Sequence, residues 1–314
     1  MSKYQEINLK NLKKTSIRSR KSLVHTSNFT KPDLTNFREF SQTLPNLLRA
    51  KDFNELIDRC YSAYQNDKPI IIALGGHVIK CGLSPILIEM MESGLITGLA
   101  SNGSVVIHDY EIAKFGETSE DVAASLETGE FGMVEETCDG INHIISAAYK
   151  NLGFGEAIGK DLIESKAEYN HISLFANAYK LDIPFTVHVA LGTDIVHQHE
   201  TADGAAIGDC SLRDFRILCN SLIQLNEGGV FLNFGSAVIM PEVFLKAVTV
   251  VRNLGYPLNN FFTAVFDMNY HYRPQINIVH RPTLSGGKGY YFIGHHEIMI
   301  PLFFQTLKAR LKDE

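Results

Sequence analysis

Along most of the chain, apolar positions follow one of two rhythms. Short apolar runs at 69–74, 184–191 (PFTVHVAL), 229–234 (GVFLNF) and 261–266 (FFTAVF) have the length and the β-branched and aromatic content of strands buried on both faces. A further short strand is predicted at 96–100. Elsewhere apolar residues recur at three- and four-residue spacing, as on one face of a helix. Over 40–64 these are Leu44, Leu47, Leu48, Phe53, Leu56, Ile57, Cys60 and Tyr61. The segments 85–93, 107–114, 118–126, 173–180, 209–225 and 241–253 read as helices on the same grounds. Gly94 closes one of them, and Thr-Ser-Glu-Asp at 118–121 has the form of a capped helix start.

Strand, small polar loop and helix alternate throughout, which predicts an α/β fold with a Rossmann-like parallel sheet and helices on both faces. In such sheets ligands bind beyond the carboxyl ends of the strands. Four predicted ends carry small or polar residues: Gly75-Gly76-His77, Ser101-Asn102-Gly103-Ser104, Gly192-Thr193-Asp194 and Gly235-Ser236-Ala237. A fifth candidate, Thr263-Ala264, falls within a strand. Small residues let a ligand approach the backbone, and helix N-termini offer unpaired N–H groups to phosphates. Short turns also need glycine for their own sake. No loop has GxGxxG spacing and no Walker A pattern occurs, so the signal for a nucleotide is the convergence of several loops. The stretch ALGGHVIKCGLSP (residues 73–85) adds His77, Lys80 and Cys81. Cys81 reads either as a thiol activated at a helix N-terminus or as a small packed residue.

Composition narrows the classes. With 45% hydrophobic and 20% charged residues in 314, the chain can bury a sizeable core without disulfides. A net charge of -6 argues against a general nucleic-acid binder. The five cysteines are odd in number and widely spaced, with no CxxC pair, which favours reduced thiols and a cytoplasmic setting. No apolar stretch is long enough to span a membrane, and no secretory signal is read at the N-terminus. Residues 1–33 read as a polar, basic arm, with a single α/β domain over 34–314.

Taken in order, these pieces resemble the deoxyhypusine synthase family. The family's TSNLISSGL corresponds to GGHVIKCGL (residues 75–83), and its VTTAGGIEEDLIK to LASNGSVVIHDYEIAK (99–114). AYKLDIPFTVHVALGTD (178–194) is similar to the family's AQKNHIPVFSPALTDG, and 229–242 to its GMIILGGGVVKHH. Residues 262–267 match its NTAQEFD, and YRPQINIVHRP (272–282) its GARPDEAVSWGK. The order holds from about residue 68 to 304. The resemblance implies a Rossmann-like NAD-binding sheet and a homo-oligomer, tetrameric as in the family. NAD contacts would fall on Gly76, His77, Ser101, Asn102, Gly103, Asp194, Gly235, Ser236, Thr263 and Ala264. By the same resemblance Asp194 would be the acidic anchor that holds a ribose or the nicotinamide edge.

The departures bear on the reaction. Where the family has its imine-forming lysine stands Pro282, and its neighbouring tryptophan is His280. The family's substrate histidine falls on Glu242, and its acidic spermidine pair partly on Gln275 and Ile276. Deoxyhypusine synthesis itself is therefore not expected. Lys288 is a candidate replacement amine. His197, His280, Glu242 and Asp267 stand as catalytic candidates, with His197 or His280 as base. Arg273, Arg281, His199 and His271 are candidates for holding a small substrate, the arginines by bidentate anion binding. In one reading these histidines and arginines form a cationic pocket. In another, His197, His199 and Asp203 hold Zn²⁺ or another divalent ion in a hydrolase or lyase, because HxH on an extended segment points both rings to one side. The expected function is an NAD-dependent enzyme acting on an amine- or hydroxyl-bearing small substrate. The alternatives are that metal enzyme or a non-catalytic nucleotide-binding protein.

Overall fold

In the computed structural model, residues 37–311 are described; the basic arm expected at 1–33 lies outside them. Six strands form one parallel sheet: β1 (Ile70–Leu74), β2 (Gly98–Asn102), β3 (Phe185–His188), β4 (Val230–Phe234), β5 (Phe261–Asp267) and β6 (Gly287–Ile293). Their order is β3-β2-β1-β4-β5-β6. Every pair is parallel. The chain reverses direction across the sheet between β1 and β4, which makes the crevice beyond their carboxyl ends the topological switch point.

The helices lie on both faces, and strand alternation shows why. Ile70, Ile72 and Leu74 enter one core with Leu99, Val187, Phe234 and Phe266. Ile71 and Ala73 enter the other with Ala100, Phe231, Phe261 and Val265. Helices α1 (Phe37–Thr43) and α6 (Val122–Thr128) expose their large apolar residues, Phe37, Phe40, Val122 and Leu126. The first core is closed by α2 (Leu48–Gln65), α3 (Gly76–Lys80), α4 (Ser84–Glu92), α5 (Gly103–Phe115), α7 (Glu135–Ala148), α8 (Phe154–Glu164) and α9 (Leu174–Lys180). The second is covered by α10 (Gly204–Ile223), α11 (Ile239–Asn253) and the helical crossover α12 (Tyr272–Pro274), which continues as a π-turn over Gln275–His280. The last helix, α13 (His296–Leu311), returns to the first core through Phe303, Phe304 and Leu307. Among the described residues no helix is long and apolar enough to cross a membrane.

Several boundaries differ from those the pattern predicts. The helix expected over 40–64 is broken at 44–47, where Pro45 disfavours helical backbone before it and Leu48 enters with φ of 47°. The strand expected at 96–100 begins two residues later, because the amides of Leu95 and Ile96 bond back to the Met90 carbonyl. Helix α5 starts directly at Gly103, and α10 starts at Gly204, where Asp203 accepts from the amides of Ala205 and Ala206. The polar loop after β3 is correspondingly short. Strand β6 and helix α13 were not expected: the glycines of GKGYYFI and the poor amphipathicity of 296–311 hide them.

The edge strand β3 is sealed by side chains. Asp214 of α10 is 1% exposed, and its Oδ2 accepts from the amides of Val187 at 2.7 Å and Gly155 at 3.0 Å. Ser211 Oγ accepts from Val189 and donates to the Val187 carbonyl. This supplies the partners that an edge strand otherwise lacks. Burial holds the Asp214 carboxyl up at about 7.

Candidate functional site

The turns that follow the strands pack against one another through their glycines. A Cβ on Gly75 would lie 2.3 Å from the Gly235 carbonyl oxygen, so the turns after β1 and β4 touch. A Cβ on Gly76 would meet Ser104 Oγ at 2.6 Å, and one on Gly103 would meet Asp194 Oδ2 at 2.1 Å. Gly235 has φ of 71° and lies under the ring of His296. The sequence suggests glycines that admit a ligand; here each also admits the next loop. The result is a continuous floor joining the ends of β1, β2, β3 and β4.

Over the β2 side of this floor, the thirteen-residue helix α5 begins without a side-chain cap. Its first amides are therefore left for another acceptor. Asn102 Oδ1 accepts from Ser104 Oγ at 2.8 Å instead of capping the helix. Asp194, from the loop after β3, reaches the Gly103 turn, and burial raises its carboxyl to about 6. Its backbone is held by His197, whose Nδ1 accepts from the amides of Gly192 at 3.1 Å and Asp194 at 3.3 Å. Ser101 Oγ and Asn233 Oδ1 are buried with no partner among the described residues. Ser236 Oγ accepts from the Met240 amide at the start of α11. This donor and acceptor set suits a dinucleotide: amides of a helix N-terminus for a diphosphate and a carboxylate for a diol.

The ends of β5 and β6 carry a second group. Asp267 closes β5, is 6% exposed, and lies 3.6 Å from His271 Nε2. His296 sits behind Gly235, with its ring 5.8 Å from that of His77. Glu242, in the first turn of α11, accepts from Asn277 Nδ2 at 2.9 Å and pairs with Arg273 at 3.5 Å and with Lys246. Arg281 donates to Asn277 Oδ1 at 3.0 Å. Lys246 above all, then Arg273 and Arg281, holds the Glu242 carboxyl below its ordinary range, so it is an ionised partner of the arginines. Arg273, Asn277 and Arg281 are spaced at four residues through the π-turn, an irregularity often found at functional sites.

Some expected residues are not brought to this edge. Thr263 and Ala264 are fully buried in mid-strand, with Thr263 Oγ1 donating to the Ile278 carbonyl. The carboxyl end of β5 is Asp267. His280 is exposed one residue beyond Val279, whose carbonyl lies against Gly289 at mid-strand height, so it stands away from the strand-end group. His199 is used in packing: Nδ1 faces Asp139 at 3.1 Å and Nε2 the Gly132 carbonyl at 3.0 Å. His197 is in a 3-10 turn, Ile195–Gln198, not in an extended segment, so the HxH rings do not share a side. Among the described residues no three of His, Cys, Asp and Glu are grouped to hold a metal ion. Lys288 is at the start of β6, opposite the crevice, bonded to Asp52 and Glu55 of α2. Pro282 is buried in the turn just before it.

The cationic pocket also changes character. Burial lowers His108 to about 4, with Lys80 adding to it, and His188 to about 3; it lowers His197 and His296 as well. Burial thus favours the neutral form of these four rings, while Arg273, Arg281 and Lys246 bring positive charge to the edge around Glu242 and Asn277. His188 and Asp214 were missed by the sequence reading. Only the alternation in PFTVHVAL, which puts Thr186 and His188 on one face, carried a signal; Thr186 Oγ1 and His188 Nε2 are 3.0 Å apart.

Cys81 packs between α3 and α13, with Sγ 3.6 Å from Glu297 Oε2. Burial and Glu297 raise its pKa, which disfavours the thiolate. Cys81 is accordingly expected to react with iodoacetamide at pH 7.5 more slowly than free cysteine. Mass-spectrometric labelling rates check this; faster labelling would restore the nucleophile reading.

No family model matches the chain. A deoxyhypusine synthase-like protein of Chlorobaculum parvum is 24% identical over 237 residues, covering 67% of this chain and 64% of the relative. The chain thus spans just under two thirds of the length of the relative it matches. Among solved structures, a putative deoxyhypusine synthase from Entamoeba histolytica has a TM-score of 0.50 at 12% identity, covering 88% of this chain and 94% of that one. A ternary complex of AgrE with ornithine and NAD+ has a TM-score of 0.52 at 11% identity, covering 84% of this chain and 34% of that one. The chain is thus similar to deoxyhypusine synthase-like proteins, in line with its motif order.

Proposed function

We propose that this deoxyhypusine synthase-like chain is an enzyme that binds NAD across the carboxyl ends of β1, β2 and β4. Its substrate is a small molecule with an amine- or hydroxyl-bearing carbon, held over β5 and β6. The reaction is an oxidation or group transfer other than deoxyhypusine synthesis, because the family lysine is replaced by the buried Pro282. The carrying observation is the uncapped start of α5 and the Asp194 carboxylate meeting at Gly103, beside the switch point. Bound there, NAD supplies a hydride acceptor.

The chain's own groups divide the remaining work. The first amides of α5 would hold the diphosphate, and Asp194 would accept from ribose hydroxyls. Arg273 and Arg281 hold an anionic group of the substrate, with Glu242 and Asn277 fixing their heads. His271, oriented by Asp267, is placed to take a proton from the reacting amine or hydroxyl. The NAD-bearing AgrE complex of similar fold supports the choice of cofactor. A homo-oligomer, tetrameric as in the family it resembles, is part of the reading. Tyr270, Tyr272, Ile293 and Ile298 expose apolar surface around the same edge; a monomer by light scattering would count against it.

Calorimetric titration with NAD+ tests the cofactor reading. Wild type should bind, and Gly103→Ala, whose methyl would displace Asp194, should bind about tenfold or more weakly, since hydrogen bonds to a charged group contribute about 1.5–3 kcal/mol. Affinity should also fall as pH drops through about 6, where Asp194 takes up a proton and can no longer accept from both hydroxyls as an anion. Equal binding by the variant and a flat pH profile would remove Asp194 from the site. No binding even at millimolar NAD+ would sink the cofactor reading.

A further inference from the structure

His296 differs from the other histidines of the crevice in what it leaves unpaired. It is 1% exposed, and its Nε2 lies 3.3 Å from the Phe266 carbonyl oxygen. A carbonyl only accepts, so in the neutral ring Nε2 carries the proton and Nδ1 is a bare acceptor. That Nδ1 is buried and has no hydrogen-bond partner among the described residues. Leaving a buried acceptor unpaired is destabilising, and such a group calls for an explanation.

Its surroundings point to a ligand. On one side the ring rests on Gly235, where a Cβ would come within 2.9 Å of Cε1 and Nε2, so the turn after β4 is shaped around this imidazole. Beside the ring stands His77, at 5.8 Å between ring centroids and 62° between planes, an edge-type contact. His77 is exposed in α3, directly after β1, and no hydrogen bond to its ring is found among the described residues. A rotation about its side-chain bonds removes it from beside His296 without disturbing the backbone. Asp267 lies close enough to bias His296 electrostatically, and a carboxylate there favours a donor or cation and repels an anion.

We propose that Nδ1 of His296, uncovered when His77 turns aside, accepts a hydrogen bond from a hydroxyl or ammonium group of the ligand. The pair is then a donor-selective subsite at the back of the crevice. It deepens the function proposed above and rests on reading this edge as the active site. A site with a buried acceptor discriminates strongly against analogues that cannot donate to it. Carboxylates and ketones of the same size are therefore excluded.

The test uses the full chain labelled with 15N-histidine, with and without NAD+, and three probes of one shape: n-propylamine, 1-propanol and propionate. The expected free spectrum shows His296 neutral, protonated on Nε2, with an unbonded Nδ1. Amine or alcohol should shift the Nδ1 resonance, and propionate should not. His77→Ala should strengthen the response, because the cover is gone. His296→Phe, which keeps a ring over Gly235 but has no acceptor, should lose the amine and alcohol thermal shift while retaining that of NAD+. An Nδ1 already bonded to water and indifferent to all probes, or one that propionate moves equally, overturns the subsite. If His296→Phe does not fold, the His77→Ala spectra decide alone. NAD+ binding with a silent Nδ1 removes only the subsite. A responsive Nδ1 in a protein that ignores NAD+ removes the cofactor reading and leaves the subsite standing.

Discussion

Asp214→Ala should lower the free energy of unfolding by about 2–6 kcal/mol, while Asp214→Asn should keep most of it. The alanine orphans two buried amides, those of Val187 and Gly155, at about 1–3 kcal/mol each. Asparagine keeps an acceptor in place, because a single oxygen, Oδ2, takes both bonds. The substitution also isolates a pH effect. Burial raises the folded carboxyl from its ordinary value of 3.8 to about 7. Between those values the folded protein holds a proton that the unfolded chain has lost. Stability is therefore full below pH 3.8 as far as this group is concerned, and is lost as pH rises toward 7. Urea titrations across that window should show a decline in wild type that Asp214→Asn lacks. A common slope in both proteins would place the proton elsewhere.

Gly75→Ala should have the largest effect on the crevice. Its methyl would lie 2.3 Å from the Gly235 carbonyl oxygen and 2.8 Å from the carbonyl carbon. Both are backbone atoms, so no side chain can turn away to make room. The turns after β1 and β4 must part, breaking the Gly75 amide's 2.9 Å bond to the Phe234 carbonyl. Overpacking of this kind costs about 1–3 kcal/mol, and more where backbone must move. The variant should melt several degrees lower and lose measurable NAD+ binding. Thermal denaturation and calorimetry report the two separately. Wild-type binding in a protein of lowered stability would put the dinucleotide away from this junction.

The strands were legible because burial on both faces makes β1, β4 and β5 nearly continuous apolar runs. Their order was not, since parallel strands of this kind carry no mark of their neighbours. The strand-end loops were legible from Gly, Ser, Asn and Asp, but the contacts that require glycine are made with other loops, and those depend on tertiary packing. Thr263 and Ala264 lie within a strand, as the pattern predicts, but burial takes them out of reach of the crevice, and the polar end of β5 is Asp267. Asp214 was hidden on an amphipathic helix, where an acid is ordinarily solvated; its partner is the edge of a strand nearly thirty residues earlier. His296 was one of two adjacent histidines in GHHE, and only the fold buries one and exposes the other.

The interlocked turns also bear on how binding is divided between enthalpy and entropy. Loops at strand ends usually lose conformational freedom when a ligand orders them. Here Gly75 against Gly235, Gly76 against Ser104, and Gly103 against Asp194 hold the four turns together in advance. Little backbone freedom is left to lose, so association should show a small entropic penalty and fast, nearly rigid-body capture. Hydrogen exchange at these turns should then be slow before any ligand arrives and change little afterwards.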